Sequence, residues 1–130
     1  MTTPTEFLGD LVAKLSRGDT RLWRNNVGEG WVGKTIYRDK TTITLQHPRV
    51  LHAGLCVGSS DLIGLRTIII TPEMVGQKIA VFAGIEGKLG TGRATRDQRA
   101  FIDYVKSAGG LAGTAGSIDE ARAILSAPTR

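Results

Sequence analysis

Residues 79–88 read IAVFAGIEGK, and residues 61–70 read DLIGLRTIII. Both runs are rich in Ile, Val and Leu over strand length, which is the pattern of a buried β-strand. Thr71-Pro72-Glu73-Met74 and Gly76 lie between them and mark a turn or a short helical turn. A hairpin is the simplest connection for two strands this close. Symmetric pairing about that connection sets Asp61 opposite the Glu86–Lys88 end, although a slip by one residue would reverse the faces.

Outward from this pair, the chain alternates helices and strands. Thr3, Pro4 and Glu6 form a capping-box start, and Phe7, Leu8, Leu11, Val12 and Leu15 follow at helical spacing up to Gly18. Thr20 to Asn26 (TRLWRNN) reads as a short strand or extended segment, followed by a glycine-punctuated connection through Gly33. Residues 41–45 and 49–51 are candidate strands, with His47-Pro48 as a break. Residues 95–107 carry the apolar stripe Ala100, Phe101, Tyr104 and Val105 of a helix that ends at Gly109-Gly110. A brief strand over 111–114 and a capping box at Ser117–Glu120, opening a helix through Leu125, complete the order. The expectation is an α/β fold, with helices packed on a sheet. Without internal repeat or linker, 1–130 reads as a single domain.

Composition narrows the function. Seventeen Lys and Arg against 12 Asp and Glu give a net charge of +5 and a pI near 9.8. That excess suits a polyanionic partner such as nucleic acid, and solubility alone would also account for it. Cys56 is the only cysteine, so no intramolecular disulfide can form, which fits a reducing cytoplasm. No apolar run approaches the roughly 20 residues of a membrane span, and MTTPTEFLGD lacks a signal-peptide pattern.

The stretch GIEGKLGTG, 84–92, first suggests a phosphate loop. Gly84 precedes Gly87 by only three residues, and Leu89 follows the lysine where a magnesium-binding hydroxyl is required. No dinucleotide fingerprint is present either, so no nucleotide cofactor is expected. As a strand end the stretch makes better sense. Glu86 and Lys88 are two apart and project from one face, roughly 7 Å apart at the backbone. With Asp61 they make two carboxylates that can hold a divalent metal, and a lysine that can steady charge on a phosphodiester. An isolated E-x-K is more often a surface ion pair, so Asp61 and the apolar strand carry the weight.

The ordered segments RNNVG (24–28), GLCVGSSDLIG (54–64), TPEMVGQ (71–77), IEGK (85–88) and TRDQRAFIDYVKSAGG (95–110), with the SIDEARAIL tail, extend this pattern. The chain resembles the PD-(D/E)XK nuclease superfamily and, within it, the VRR-NUC (virus-type replication-repair nuclease) family in its small stand-alone form typical of phages. The resemblance runs from the first helix to Leu125. It implies a restriction-endonuclease-like core, about 3–125, with a central mixed β-sheet flanked by α-helices. It further implies Mg²⁺ or Mn²⁺ held by Asp61, Glu86 and the Gly87 carbonyl, with Lys88 catalytic. Gln98 would lie on a helix near the metal, and Glu6 matches the acid that the first helix often contributes; Asp10 is the other candidate. Ser60 replaces the usual proline, and Gly87 stands where an apolar residue is more usual. Gln98 and Glu6 each also sit three residues after a threonine, which explains them as capping residues.

Arg24, Asn25 and Asn26, joined by Arg21, are candidate phosphate or sugar contacts, and Arg93, Arg96 and Arg99 extend that surface, unless they are ordinary solvated charge. His47, His52 and Cys56 lack the fourth ligand and paired spacing of a structural zinc site. Trp23 and Trp31 could stack on bases, yet tryptophan beside a predicted sheet is more often core. The function expected is a metal-dependent DNA endonuclease, structure-selective for branched or Holliday-junction-like DNA, homodimeric and in the host bacterial cytoplasm if phage-encoded. The alternatives are an inactive DNA-binding module on the same fold and an RNA-acting hydrolase.

Overall fold

The computed structural model describes residues 1–126. They form a mixed α/β protein with three α-helices and small sheets. The chain divides into two compact units, Met1–Gly64 and a second from Leu65 onward. No helix among the described residues is long and apolar enough to cross a membrane.

The first unit opens with α1, Pro4–Leu15, which starts as its sequence requires. Thr3 Oγ1 accepts from Glu6 N at 3.2 Å, and Glu6 Oε2 accepts from Thr3 N at 2.7 Å, closing a reciprocal cap. The Thr3 backbone N–H foremost, and the Thr3 side chain after it, hold the Glu6 carboxyl below its ordinary pKa. Helix α1 packs on β1, Thr20–Arg24, which pairs with β4, Leu62–Arg66. Gly64 is required in that ladder, because a Cβ there would collide with the Arg21 carbonyl and approach Leu22 Cδ2 at 2.8 Å.

Between β1 and β4 run the two longest strands. Strand β2, Gly28–Arg38, pairs antiparallel with β3, Ile43–Ala53. At the turn Asp39 accepts from Thr42 N at 2.7 Å, Thr41 N at 2.8 Å and the Tyr37 hydroxyl at 2.6 Å. Those bonds, led by Tyr37, pull the Asp39 pKa down to about 2. The ladder is interrupted twice, once where His47 and Pro48 face only Gly33 and once at Ile36. Gly33 is needed at the first bulge, since a Cβ would lie 2.9 Å from the Gln46 carbonyl. The expected break at His47-Pro48 is therefore a β-bulge inside one strand, with His47 at φ 52°. The glycine-punctuated connection expected through Gly33 is strand β2.

The second unit is a strand–helix–strand–helix. Strand β5, Ala83–Gly87, pairs parallel with β6, Leu111–Ala115, and α2, Arg96–Ser107, connects them. Helix α3, Ile118–Ser126, follows β6. Phe101 of α2 lies 3.6 Å from where a Gly84 Cβ would stand, whereas Ile124 of α3 approaches the Gly113 position at 2.8 Å. Gly84 pairs with Ala112 and Ile85 with Gly113, and successive residues face opposite sides of a strand. The two helices therefore cover opposite faces of the β5–β6 pair. Val105 of α2 is fully buried and Ala115 nearly so.

Two expectations are corrected here. The strands of 61–70 and 79–88 do not form a hairpin: β4 takes β1 as its partner and β5 takes β6. Apolar runs report burial without naming the partner, and Gly64 admits the close approach of β1 while α2 delivers β6 to β5. With the hairpin goes the expected register of Asp61 opposite Glu86. Likewise, the described residues form three two-stranded ladders in place of one central mixed sheet.

Candidate active site

Glu86, Lys88 and Gln98 meet in the second unit. Glu86 points from β5 toward α2, and Lys88, two residues on, shares its face. Lys88 Nζ lies 3.2 Å from Glu86 Oε1, and the two side chains are only 23% and 30% exposed. Gln98 Nε2 donates to the same Oε1 at 2.8 Å. Gln98 also caps its own helix. Its Oε1 accepts from Thr95 N at 2.8 Å, while its backbone N–H donates to Thr95 Oγ1 at 3.2 Å. Gln98 thus caps its helix and holds Glu86 at once, with opposite ends of a single amide used for each.

Beside these groups lies a pocket of about 310 Å³, lined by Gly84, Ile85, Glu86, Gln98, Phe101 and Ile102, with Asp97 at its side. Sequence reasoning does not single out Asp97 or Phe101 for the site, though Phe101 lies on the predicted apolar stripe of α2.

The Gly87 carbonyl has a definite direction. Lys88 N donates to Ala115 O and Leu111 N to Phe82 O, so Phe82 and Lys88 point their backbone groups at β6. Extended residues alternate edges, which directs the Gly87 carbonyl to the other edge of β5, where no strand pairs among the described residues. A partly exposed carboxylate and an outward carbonyl are hard oxygen donors, right in kind for Mg²⁺, which binds through one or two carboxylates and keeps waters and phosphate. No group of three His, Cys, Asp or Glu side chains converges among the described residues.

Asp61 belongs to the first unit, where it is exposed just before β4. Its position is set by Asn25. Asn25 N donates to the Asp61 carbonyl at 2.8 Å, Asn25 Nδ2 donates to Ser59 Oγ and Ser60 O at 2.8 Å each, and Asn25 Oδ1 accepts from Leu55 N at 3.0 Å. The sequence makes Asn25 a candidate nucleic-acid contact; in the structure its amide fastens the loop 55–61 that leads into Asp61. Only the spacing of two loops, 30 or more residues apart, could have revealed this, and one sequence does not encode it locally.

Other candidates are placed as follows. Glu6 is engaged in the α1 cap, and Asp10 lies 4.0 Å from Lys14. Arg24 Nη1 reaches Thr5 O at 3.4 Å, and Asn26 is exposed. Arg93, Arg96 and Arg99 are exposed around the start of α2, with Arg99 Nη1 donating to Ala94 O at 2.6 Å. Trp23 is half-buried with Arg21 6.0 Å from its ring centre, but Trp31 is 64% exposed and is not a core residue. It lies on β2, whose pairing partner is β3 and not a covering layer. His52 lies 3.4 Å from Glu29, and Cys56 is exposed.

Compared with known proteins, the chain matches no family model, no curated sequence and no solved structure.

Proposed function

We propose that the chain is a metal-dependent DNA endonuclease with a PD-(D/E)XK-type core, cutting phosphodiester bonds in duplex or branched DNA. The observation that carries this reading is the Glu86 carboxylate held by Lys88 and Gln98. Lys88, just past the strand end, and Gln98, from the next helix, thereby converge on a single oxygen of Glu86. A surface ion pair needs no third partner and no partial burial.

Glu86 and the Gly87 carbonyl would hold Mg²⁺ or Mn²⁺, and by resemblance Asp61 is the other carboxylate of the set. When bound, the metal supplies Lewis-acid polarisation of the phosphate and a water of lowered pKa. The protein's own part falls to three side chains. Gln98 fixes the rotamer of Glu86 by binding one of its oxygens. Lys88 neutralises that carboxylate and presents positive charge where the scissile phosphate gains negative charge in the transition state. Asn25 holds the loop that carries Asp61. Homodimerisation and action in the host cytoplasm belong to the same reading.

The test is cleavage of supercoiled plasmid, a synthetic four-way junction and an RNA duplex, each with Mg²⁺, Mn²⁺ or EDTA. Metal-dependent cutting of DNA, lost in Glu86→Ala and Lys88→Ala, is the expected result. DNA binding without cutting under any condition would make the protein an inactive binding module, and cutting of the RNA alone would change the substrate class. Equal cutting by Asp61→Ala would remove Asp61 from the site.

A further inference from the structure

The β2–β3 ribbon has the composition of a surface that meets a polyanion. It carries Lys34, Arg38, Lys40 and Arg49, all exposed, against two acids. Both acids are engaged, Asp39 by the turn and Glu29 by His52. In the rest of the first unit, Lys14, Arg17, Arg21 and Arg24 are balanced by Glu6, Asp10, Asp19 and Asp61. The positive excess of that unit thus resides in the ribbon.

Its shape agrees. Each strand has 11 residues. At about 3.3 Å per residue that is about 35 Å, close to one turn of B-DNA at roughly 34 Å. A two-stranded antiparallel ribbon fits the major groove, which is about 12 Å wide. Neither strand packs on a helix or another strand among the described residues to any extent comparable with their mutual pairing. Trp31 and Tyr37 are exposed along it at 64% and 53%, aromatic surface of the kind that contacts bases and sugars.

We propose that the β2–β3 ribbon is a duplex-DNA-binding arm, laid along a groove with Lys34, Arg38, Lys40 and Arg49 on the phosphates. The ribbon's own charge and dimensions carry this, so it holds or fails separately from the nuclease reading. The ribbon also exposes Ile36, Ile43, Val50 and Leu51, which would suit a second copy of the chain. An isologous ribbon-on-ribbon contact would bring together two surfaces of the same positive sign, which favours DNA as the occupant.

The experiment is fluorescence anisotropy of a labelled 20-base-pair duplex in EDTA, which separates binding from cutting, at 50 and 200 mM salt. The variant Lys34→Glu/Arg38→Glu/Lys40→Glu is expected to bind at least tenfold more weakly and to lower the salt exponent by about three. The milder set Lys34→Gln/Arg38→Gln/Lys40→Gln should show an intermediate loss. A control with the same net change, Lys14→Glu/Lys78→Glu/Lys106→Glu, should stay within about threefold of the parent, because its sites lie off the ribbon. Loss confined to the ribbon variants supports the arm whether or not the protein cuts DNA. Equal loss in the control, or none in the ribbon variants, overturns it. A dimer in sedimentation that Trp31→Ser/Ile43→Ser converts to monomer with unchanged DNA affinity would also overturn it, assigning the ribbon to a second copy.

Discussion

The β2–β3 ribbon and the β5–β6 pair solve the same problem in opposite ways. The ribbon is long, antiparallel and local in sequence, held by its own ladder and by the Asp39 turn, with large apolar side chains left in solvent. The β5–β6 pair is five residues deep, parallel, and flanked on its two faces by α2 and α3, though Ile85 stays 42% exposed. A parallel pair cannot be closed by a tight turn, and the crossover helix it needs brings side chains of its own to the strand ends. Glu86, Lys88 and Gln98 meet there for that reason. Covered strands place reactive groups; exposed strands present a surface.

The strongest way to break this contrast is at the strand end itself. On the proposed nuclease reading, Lys88→Ala should lower the DNA-cutting rate by about 10²–10³-fold, read as plasmid nicking under single-turnover conditions. A loss of less than about threefold would reduce the Glu86–Lys88 pair to an ordinary ion pair.

Next comes the cover. Val105→Ala should destabilise the second unit by about 2 kcal/mol, since a fully buried side chain leaves a cavity. Hydrogen exchange should record faster opening of β5 and β6, with the β2–β3 amides unchanged. Equal acceleration in the ribbon would mean the two regions do not differ in what holds them.

A third variant separates the two ends of one side chain. Thr95→Ala removes one half of the α2 cap, the acceptor for the Gln98 N–H, and should cost about 1 kcal/mol. Gln98→Ala removes the other half, the acceptor for the Thr95 N–H, and the Glu86 contact as well, so it should destabilise at least as much as Thr95→Ala and, on the proposed nuclease reading, fall below it in cutting rate. Equal rates would confine Gln98 to capping.

The smallest effect is acid titration of the ribbon turn. The Asp39 pKa is depressed to about 2, so its stabilising contribution is complete above the ordinary carboxylate value near 4 and is lost as pH falls through 2. NMR shifts of Thr41 and Thr42 amides should stay constant from pH 6 to about 4 and move only below it. Movement centred near pH 4 would mean the carboxylate is not held as described.

How much was legible in the sequence follows from how local each feature is. Thr3 with Glu6 and Thr95 with Gln98 announce helix starts because a cap is complete within four residues. The E-x-K pair was readable because strand alternation fixes its shared face. Strand β2 was not readable, because Gly28, Gly30 and Gly33 read as connection, whereas Gly33 in fact makes room for the bulge. Partner choice was equally hidden: IAVFAGIEGK announces a strand but not β6, whose register depends on the packing of α2. Nothing near Asn25 in the sequence hints at the loop that its side chain fastens.

The amide of Gln98 belongs to the first turn of α2, and the end turns of a helix are where it frays. Each time that turn unwinds, Thr95 loses its cap and Glu86 loses a bond in the same motion. The lifetime of the assembled carboxylate is therefore tied to the opening rate of a single helical turn, so a change that merely steadies the start of α2 alters how long the site stays poised.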